Sequence, residues 1–439
     1  MQEILTELIL DFYAFEMPEI KRRTVEIREM PRNASVIVGM RRTGKTFRVY
    51  QKIRELLAGG IPLDRILYLN LDDDRLHGMT LRDLSLIPEI FYRAHPENRE
   101  QECYFFLDEI QDVEGWEIFA RRLIDSGKIR LYLTGSSAKL LSREIASTLR
   151  GRAVETEVFP LSFREFLRFH GIMEEIPELL GGTDRIRILN ALDRYFQIGG
   201  FPEVQTCSPE LWAEKLQGYA NEVLFRDVVE RCAVTNIPAL KYLLLKICHN
   251  PCGKLSASAV HRELKAVGIR SDREKIGNYI DCFSQANLLY PVRIHSDSLS
   301  QKQVNPPKIY LADIGLVRAM NSKQSADRGH LLENLVFLHL RRRNYEVEYL
   351  VTQDGYEVDF AAWHKFDREY HLVQVCYDLD SPTTMEREVR ALRSAAQTLR
   401  PADMTIVTWN GDRRETDGIR IVPVWQFLLD RVDGQPHAE

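Results

Sequence analysis

Gly39-Met40-Arg41-Arg42-Thr43-Gly44-Lys45-Thr46 decides how the chain is read. It satisfies G-x-x-x-x-G-K-[ST], the pattern of a phosphate-binding loop. Ala34-Ser35-Val36-Ile37-Val38 precedes it, a short apolar run suited to a buried parallel strand. Phe47-Arg48-Val49-Tyr50-Gln51-Lys52-Ile53 follows and continues as a helix. In a strand–turn–helix setting, Gly39 and Gly44 let the backbone approach a polyphosphate without a side chain in the way. The N–H groups across Met40, Arg41, Arg42 and Thr43, with those of the helix start at Phe47, then face anionic oxygens. Lys45 reaches the β- and γ-phosphates, and the Thr46 hydroxyl ligates Mg²⁺. The stretch therefore predicts a site for ATP and Mg²⁺.

Further strands extend the sheet. Arg65 to Leu71 reads as a second one, ending in Asp72-Asp73-Asp74, most simply a solvated loop. Cys103-Tyr104-Phe105-Phe106-Leu107-Asp108-Glu109 is a hydrophobic run ending in two acids about 60 residues after the loop, where such a fold needs them. Asp108 is expected to orient Mg²⁺. Glu109 is expected to polarise the attacking water by accepting its proton. Ile129 to Thr134 is a fourth strand ending in Gly135-Ser136-Ser137, and Ser136 is a candidate sensor of the terminal phosphate beside the simpler reading of a small-residue turn. Arg150 and Arg152 precede a fifth strand, Ala153 to Phe159. They are candidate arginine fingers, with plain surface arginines as the alternative.

The bulk composition bounds the rest. The chain has 439 residues, is 44% hydrophobic and 28% charged, and carries a net charge of −5. That suits a multidomain globular protein and argues against coating nucleic acid by charge alone. There is no stretch of 18 uncharged apolar residues and no signal-peptide layout at Met1 to Thr6, so a cytoplasmic protein with no membrane contact is expected. Seven scattered cysteines suggest free thiols. Residues 1–30 read as an amphipathic helical entry, with Lys21-Arg22-Arg23 most simply on a solvated face, the alternative being contact with a nucleotide at the nearby phosphate loop.

Together these stretches resemble the AAA+ ATPases, and within them a bacterial and archaeal family with a C-terminal domain of uncharacterised function. The resemblance rests on the loop, Phe106-Leu107-Asp108-Glu109-Ile110-Gln111, Leu133-Thr134-Gly135-Ser136-Ser137, Leu149-Arg150-Gly151-Arg152, and Val158-Phe159-Pro160-Leu161-Ser162-Phe163-Arg164-Glu165-Phe166. It implies a five-stranded parallel sheet between helices over residues 1–160 and a helical lid over 161–235. The lid includes Gly199-Gly200-Phe201-Pro202-Glu203, which by itself is a tight turn.

Residues 236–305 read as helix, helix, helix, strand, an order similar to a winged helix. Ile276, Ile280 and Phe283 form the core stripe of the third helix, leaving Arg273, Lys275 and Asn278 to face elsewhere, where they could meet phosphates. Cys248 and Cys252 lack the second pair that a structural zinc site needs.

Residues 306–439 form another α/β unit. Glu333 on a helix, then Asp359 and Gln374 on neighbouring strands, resemble the restriction-endonuclease-like PD-(D/E)XK fold, which implies a second Mg²⁺ site. Cys376 stands where that pattern has a lysine, and a thiol is a poor phosphate partner. Lys308 and Lys365 are candidate replacements.

The expected function is thus Mg²⁺-dependent ATP hydrolysis coupled to DNA through the winged-helix and nuclease-like regions, with Arg341-Arg342-Arg343 along a phosphate backbone. The alternatives are a nucleotide-dependent switch acting on protein partners with an inactive nuclease-like domain, and an ATP-gated nuclease. A finger arginine completing a neighbouring site requires a homo-oligomer.

Overall fold

The computed structural model describes residues 1–135, 149, 151–177, 179–321, 328–366 and 369–429. These form two compact units, Met1–Phe159 with Gln285–Asn287, and Pro160–Ser284 with Leu288–Glu439.

The first unit is built on five strands: β1 Ala34–Val38, β2 Ile66–Asn70, β3 Cys103–Asp108, β4 Ile129–Gly135 and β5 Ala153–Glu157. All pair in parallel, in the order β2-β3-β4-β1-β5. β1 is buried at every position, as a mostly apolar run requires when helices cover both faces, and its one polar residue, Ser35, donates its hydroxyl to the Arg28 carbonyl. The strand period divides it: Val36 and Val38 pack with Phe119, Leu123 and Ile124 of the helix Trp116–Ser126. Ile37 faces the other way, onto Val49 and Ile53 of the helix Lys45–Ala58 and onto Phe106 and Tyr132. The insertion of β4 between β1 and β3 sets the carboxyl ends of these three strands side by side.

The entry segment is shorter in helix than its sequence suggests. Only Gln2–Ala14 is helical, burying Leu5, Ile9 and Phe12; Pro18 lies in the extended stretch that follows.

The second unit begins with helices Phe163–Phe169, Gly182–Ile198 and Trp212–Glu222, the last running into a π-helical segment, Val223–Glu230. Ser162 and Glu165 form a capping box that starts the first of these. Helices Ile237–His249, Ala257–Ala266 and Arg273–Gln285 follow, then β6 Leu289–Val292. Ile276, Ile280 and Phe283 are buried, while Arg273, Lys275 and Asn278 are exposed. β6 pairs antiparallel with β7 Lys308–Leu311, so this ribbon joins the segments on either side of Pro306-Pro307. A mixed sheet in the order β12-β13-β11-β10-β9-β8 closes the unit. Its strands are β8 Tyr345–Val351, β9 Glu357–His364, β10 His371–Cys376, β11 Asp403–Thr408, β12 Arg414–Thr416 and β13 Ile419–Pro423. β8, β9 and β10 are antiparallel neighbours, and β10 continues parallel to β11. The helices Arg328–Arg342 and Pro382–Leu399 belong to the same unit, and Ala391, Leu392 and Ala395 of the latter pack on Leu372 and Ile406.

The cysteines correct the expectation of free thiols throughout: Cys232 and Cys282 form a disulfide that closes a 50-residue separation, a pairing that spacing cannot reveal. Cys248 and Cys252 are buried, and the Cys252 thiol donates to the His330 carbonyl at 3.1 Å. Among the described residues no helix is long and apolar enough to cross a membrane.

Candidate functional site

The loop after β1 turns on residues that tolerate unusual backbone. Gly39 has φ 149°, and a Cβ there would stand 2.3 Å from the Val158 carbonyl oxygen. Gly44, at φ 92°, ends the loop and starts the helix Lys45–Ala58. Arg42 takes the left-handed region at φ 67°. Thr43 is fully buried, its hydroxyl donating to the Met40 carbonyl at 3.0 Å. Lys45 folds back inside the curl: its ammonium donates to the carbonyls of Gly39 at 3.2 Å and Met40 at 3.3 Å, and lies 3.7 Å from Glu109. Phe47 is partly exposed with its ring against Tyr50.

Three hydroxyls converge on Asp108. Thr46 donates to one carboxylate oxygen at 2.8 Å and Tyr68 to the same oxygen at 2.9 Å, while Thr134 donates to the other. Burial raises the Asp108 pKa, and the Glu109 charge adds to the rise against the three hydrogen bonds. Glu109 adopts φ 54°, a conformation that leaves the strand direction. Its N–H donates to Thr134 Oγ1 at 3.1 Å, and its carboxylate accepts from the Gln111 amide at 2.7 Å. Adjacent acids on a strand point to opposite faces; the left-handed turn at Glu109 brings the second acid within reach of Lys45.

Sequence reasoning missed the support for this loop. Arg23, assigned to a solvated face, is buried. Its guanidinium donates to the Thr43 carbonyl at 2.8 Å and the Phe159 carbonyl at 2.7 Å. Its backbone exchanges hydrogen bonds with the Gln51 side chain. The local signal was a basic turn, and nothing in it names distant carbonyls as partners. Thr134 and Tyr68 were likewise read only as strand residues.

The finger candidates fare differently. Ser136 and Arg150 lie outside the described residues. Arg152 precedes β5, whose Ala153 pairs with Ala34 at the start of β1, so it stands at the edge of the sheet away from the loop, roughly 15 Å along the strands. It ion-pairs with Asp125. Arg152 thus lies at the end of the strands opposite the phosphate loop of its own chain.

The donor set suits Mg²⁺ with a nucleotide: a hydroxyl and a carboxylate, both hard oxygen ligands, lie beside a backbone cradle that a Cβ at Gly39 would fill.

The second unit brings together Glu333, Asp359 and Gln374, with Lys308 at their centre. The Lys308 ammonium is 3.0 Å from Glu333, 3.0 Å from Asp359 and 2.8 Å from Glu357. The Tyr310 hydroxyl donates to Glu333 at 2.6 Å. Gln374 faces two ways: its oxygen accepts the Asp359 N–H at 3.2 Å, and its amide donates to Glu388 at 2.8 Å. Cys376 is buried, and burial with the nearby Glu388 pushes its thiol up to about 11. The arginine run is engaged internally. Arg342 donates to the Pro160 carbonyl at 3.2 Å, Arg341 pairs with Glu346, and Arg343 lies over the Tyr345 ring.

Residues 31–167 match the family model of an AAA domain. Residues 189–327 match a domain of unknown function, DUF8612. The chain is 34% identical over 440 residues to the uncharacterized protein MJ1544 of Methanocaldococcus jannaschii, covering 97% of this chain and 95% of that one. It is 29% identical to an uncharacterized protein of Haemophilus influenzae, covering 90% and 94%. Among solved structures it is similar to the Walker-type ATPase PABY2304 of Pyrococcus abyssi, at 15% identity and a TM-score of 0.42, covering 73% of this chain and 95% of that one.

Proposed function

This chain belongs to the family of the protein MJ1544 of Methanocaldococcus jannaschii, and we propose that it is a Mg²⁺-dependent ATPase whose second unit carries the response to hydrolysis. The observation that carries the proposal is the convergence of Thr46, Thr134 and Tyr68 on Asp108 beside Lys45 and Glu109. Lys45 and the loop N–H groups would hold the phosphates. Thr46 and Asp108 would hold Mg²⁺, which when bound neutralises charge on the phosphate oxygens. Glu109 is the group that accepts a proton from the attacking water, and Gln111 and Lys45 fix its carboxylate meanwhile.

For the partner, DNA contact through exposed Arg273 and Lys275 remains the first reading, since both project from one helix outside its buried stripe. Acidic neighbours Asp272 and Glu274 are exposed beside them. A second reading, a switch acting on a protein partner, is favoured by the arginine run. Arg341, Arg342 and Arg343 are spent on partners within their own unit and offer no phosphate track.

Steady-state ATP hydrolysis by the full chain, with and without duplex DNA at two salt concentrations, tests both. Hydrolysis lost in Lys45→Ala supports the site; unchanged hydrolysis refutes it. Stimulation by DNA that fades with salt supports the first partner reading. A DNA-indifferent rate supports the second.

A further inference from the structure

The restriction-endonuclease resemblance implies a divalent metal on Glu333, Asp359 and Gln374, and the residues do not fit one. Lys308 is 5% exposed, and its three ammonium protons match three carboxylates, on Glu333, Asp359 and Glu357. The other Asp359 oxygen accepts the Val375 N–H at 3.0 Å, so both are used. The Glu333 oxygen that meets Lys308 also accepts from Tyr310. Gln374 has turned its amide to Glu388 and its oxygen to the backbone of β9. Glu357, on the outer side, is held by Lys254 at 2.6 Å. The ring of Tyr349 lies under both lysines, at 5.1 Å and 5.9 Å. Among the described residues, the only three His, Cys, Asp or Glu side chains whose ligand atoms lie within 4.8 Å of one another are Asp64, His95 and Glu97, so these carboxylates do not form such a group.

We infer that the Lys308 ammonium is the resident cation of this site: it occupies the place between Glu333 and Asp359 that a divalent metal would take, and so closes the cluster to metal-dependent phosphodiester chemistry. The physical basis is charge. Two buried acidic side chains, Glu333 and Asp359, with the half-buried Glu357 beside them, crowd one another and need a cation within hydrogen-bonding reach. A lysine on β7 meets that need without a metal, and a lysine removed from such a cluster leaves uncompensated anions behind. The inference concerns a site separate from the phosphate loop and does not depend on ATP hydrolysis.

The test uses Mn²⁺ as the probe, with no nucleotide present, and counts bound ions per full chain by electron paramagnetic resonance. Wild type and Asp359→Asn are expected to bind the same number. Lys308→Ala is expected to gain one ion per chain and a Mn²⁺-dependent rise in Tm of several degrees, and Lys308→Ala with Asp359→Asn to lose both. A wild-type ion that disappears in Asp359→Asn would overturn the inference, as would a folded Lys308→Ala that gains none. If Lys308→Ala does not fold, the comparison of wild type with Asp359→Asn decides alone, because equal binding supports the closed site and a lost ion refutes it.

Discussion

Thr46 Oγ1 donates to Asp108 Oδ2 at 2.8 Å, joining the first turn of the loop helix to the end of β3 across 62 residues of sequence. Each partner thereby holds the other in the place from which both can face a cation. Thr46→Ala and Asp108→Asn are expected to weaken Mg²⁺-dependent turnover by at least tenfold each. Because they share one hydrogen bond, the double variant should lose less than the product of the single losses. A double-variant cycle on kcat/KM as a function of Mg²⁺ concentration measures this coupling; simple multiplication of the losses would show that the pair does not act together.

Glu109→Gln separates binding from chemistry. The amide keeps the size of the side chain and one acceptor for Gln111, and cannot take up a proton. Nucleotide affinity should stay within a few-fold while turnover falls by about 10²–10⁴-fold, the usual contribution of a positioned base. Equilibrium binding of labelled ATP beside single-turnover hydrolysis reads the two quantities apart. An equal loss in both would move Glu109 from chemistry to binding.

The parts of this site that were legible in the sequence are those in which chemistry and local geometry coincide. A glycine-rich turn after an apolar run, and two acids ending another, carry their roles in their own residue types. What was illegible is held together by backbone. Arg23 reaches carbonyls 20 and 136 residues away, and a carbonyl has no letter of its own. Thr134 ends an apolar strand run and is polar in role, because its hydroxyl donates to the Asp108 carboxylate at the end of the adjacent strand and accepts the backbone N–H of Glu109. Lys308 was half legible: the pattern with Cys376 in place of a lysine points to Lys308 or Lys365 as replacements, and no local feature of either chooses between them, whereas the fold sets Lys308 between Glu333 and Asp359. The sheet order was also beyond local patterns, since period-2 burial shows which strands are covered and leaves their neighbours open.

Arg23→Lys tests whether the phosphate loop needs a fork or only a charge. One guanidinium spans the Thr43 and Phe159 carbonyls, and an ammonium on a single point cannot bond both in the same geometry. Leaving one buried carbonyl unpaired costs roughly 1–3 kcal/mol. The variant should melt several degrees lower and bind ATP more weakly, with kcat much less affected than KM. Differential scanning calorimetry with and without nucleotide checks this; a wild-type Tm and KM would show the guanidinium to be dispensable.

Asp313 gives the second unit a pH dependence with a defined sign. Its carboxylate accepts the Gly200 N–H at 2.7 Å and the Gly315 N–H at 2.8 Å, and it fills the space that a Cβ at Gly199 would enter, while a Cβ at Gly200 would stand 2.3 Å from the Leu161 carbonyl oxygen. Burial pushes its carboxyl up to about 6 against the hydrogen bonds from Gly200 and Gly315 and the nearby Arg342 charge, from an ordinary 3.8. A carboxyl whose folded pKa is raised binds its proton more tightly in the folded chain than in the unfolded one. Its contribution to stability therefore grows as pH falls from about 6 towards 4, and is smallest and constant above that window. Asp313→Asn abolishes the titration and loses one acceptor, so it should be less stable than wild type by roughly 1–3 kcal/mol at neutral pH. The gap between the two should widen as pH drops through the window, because only wild type takes up the stabilising proton. Urea denaturation of both proteins at pH 4.5, 5.5 and 7 measures the gap directly. A gap that narrows towards acid would mean that Asp313 is held as an anion, with the glycine N–H groups outweighing burial.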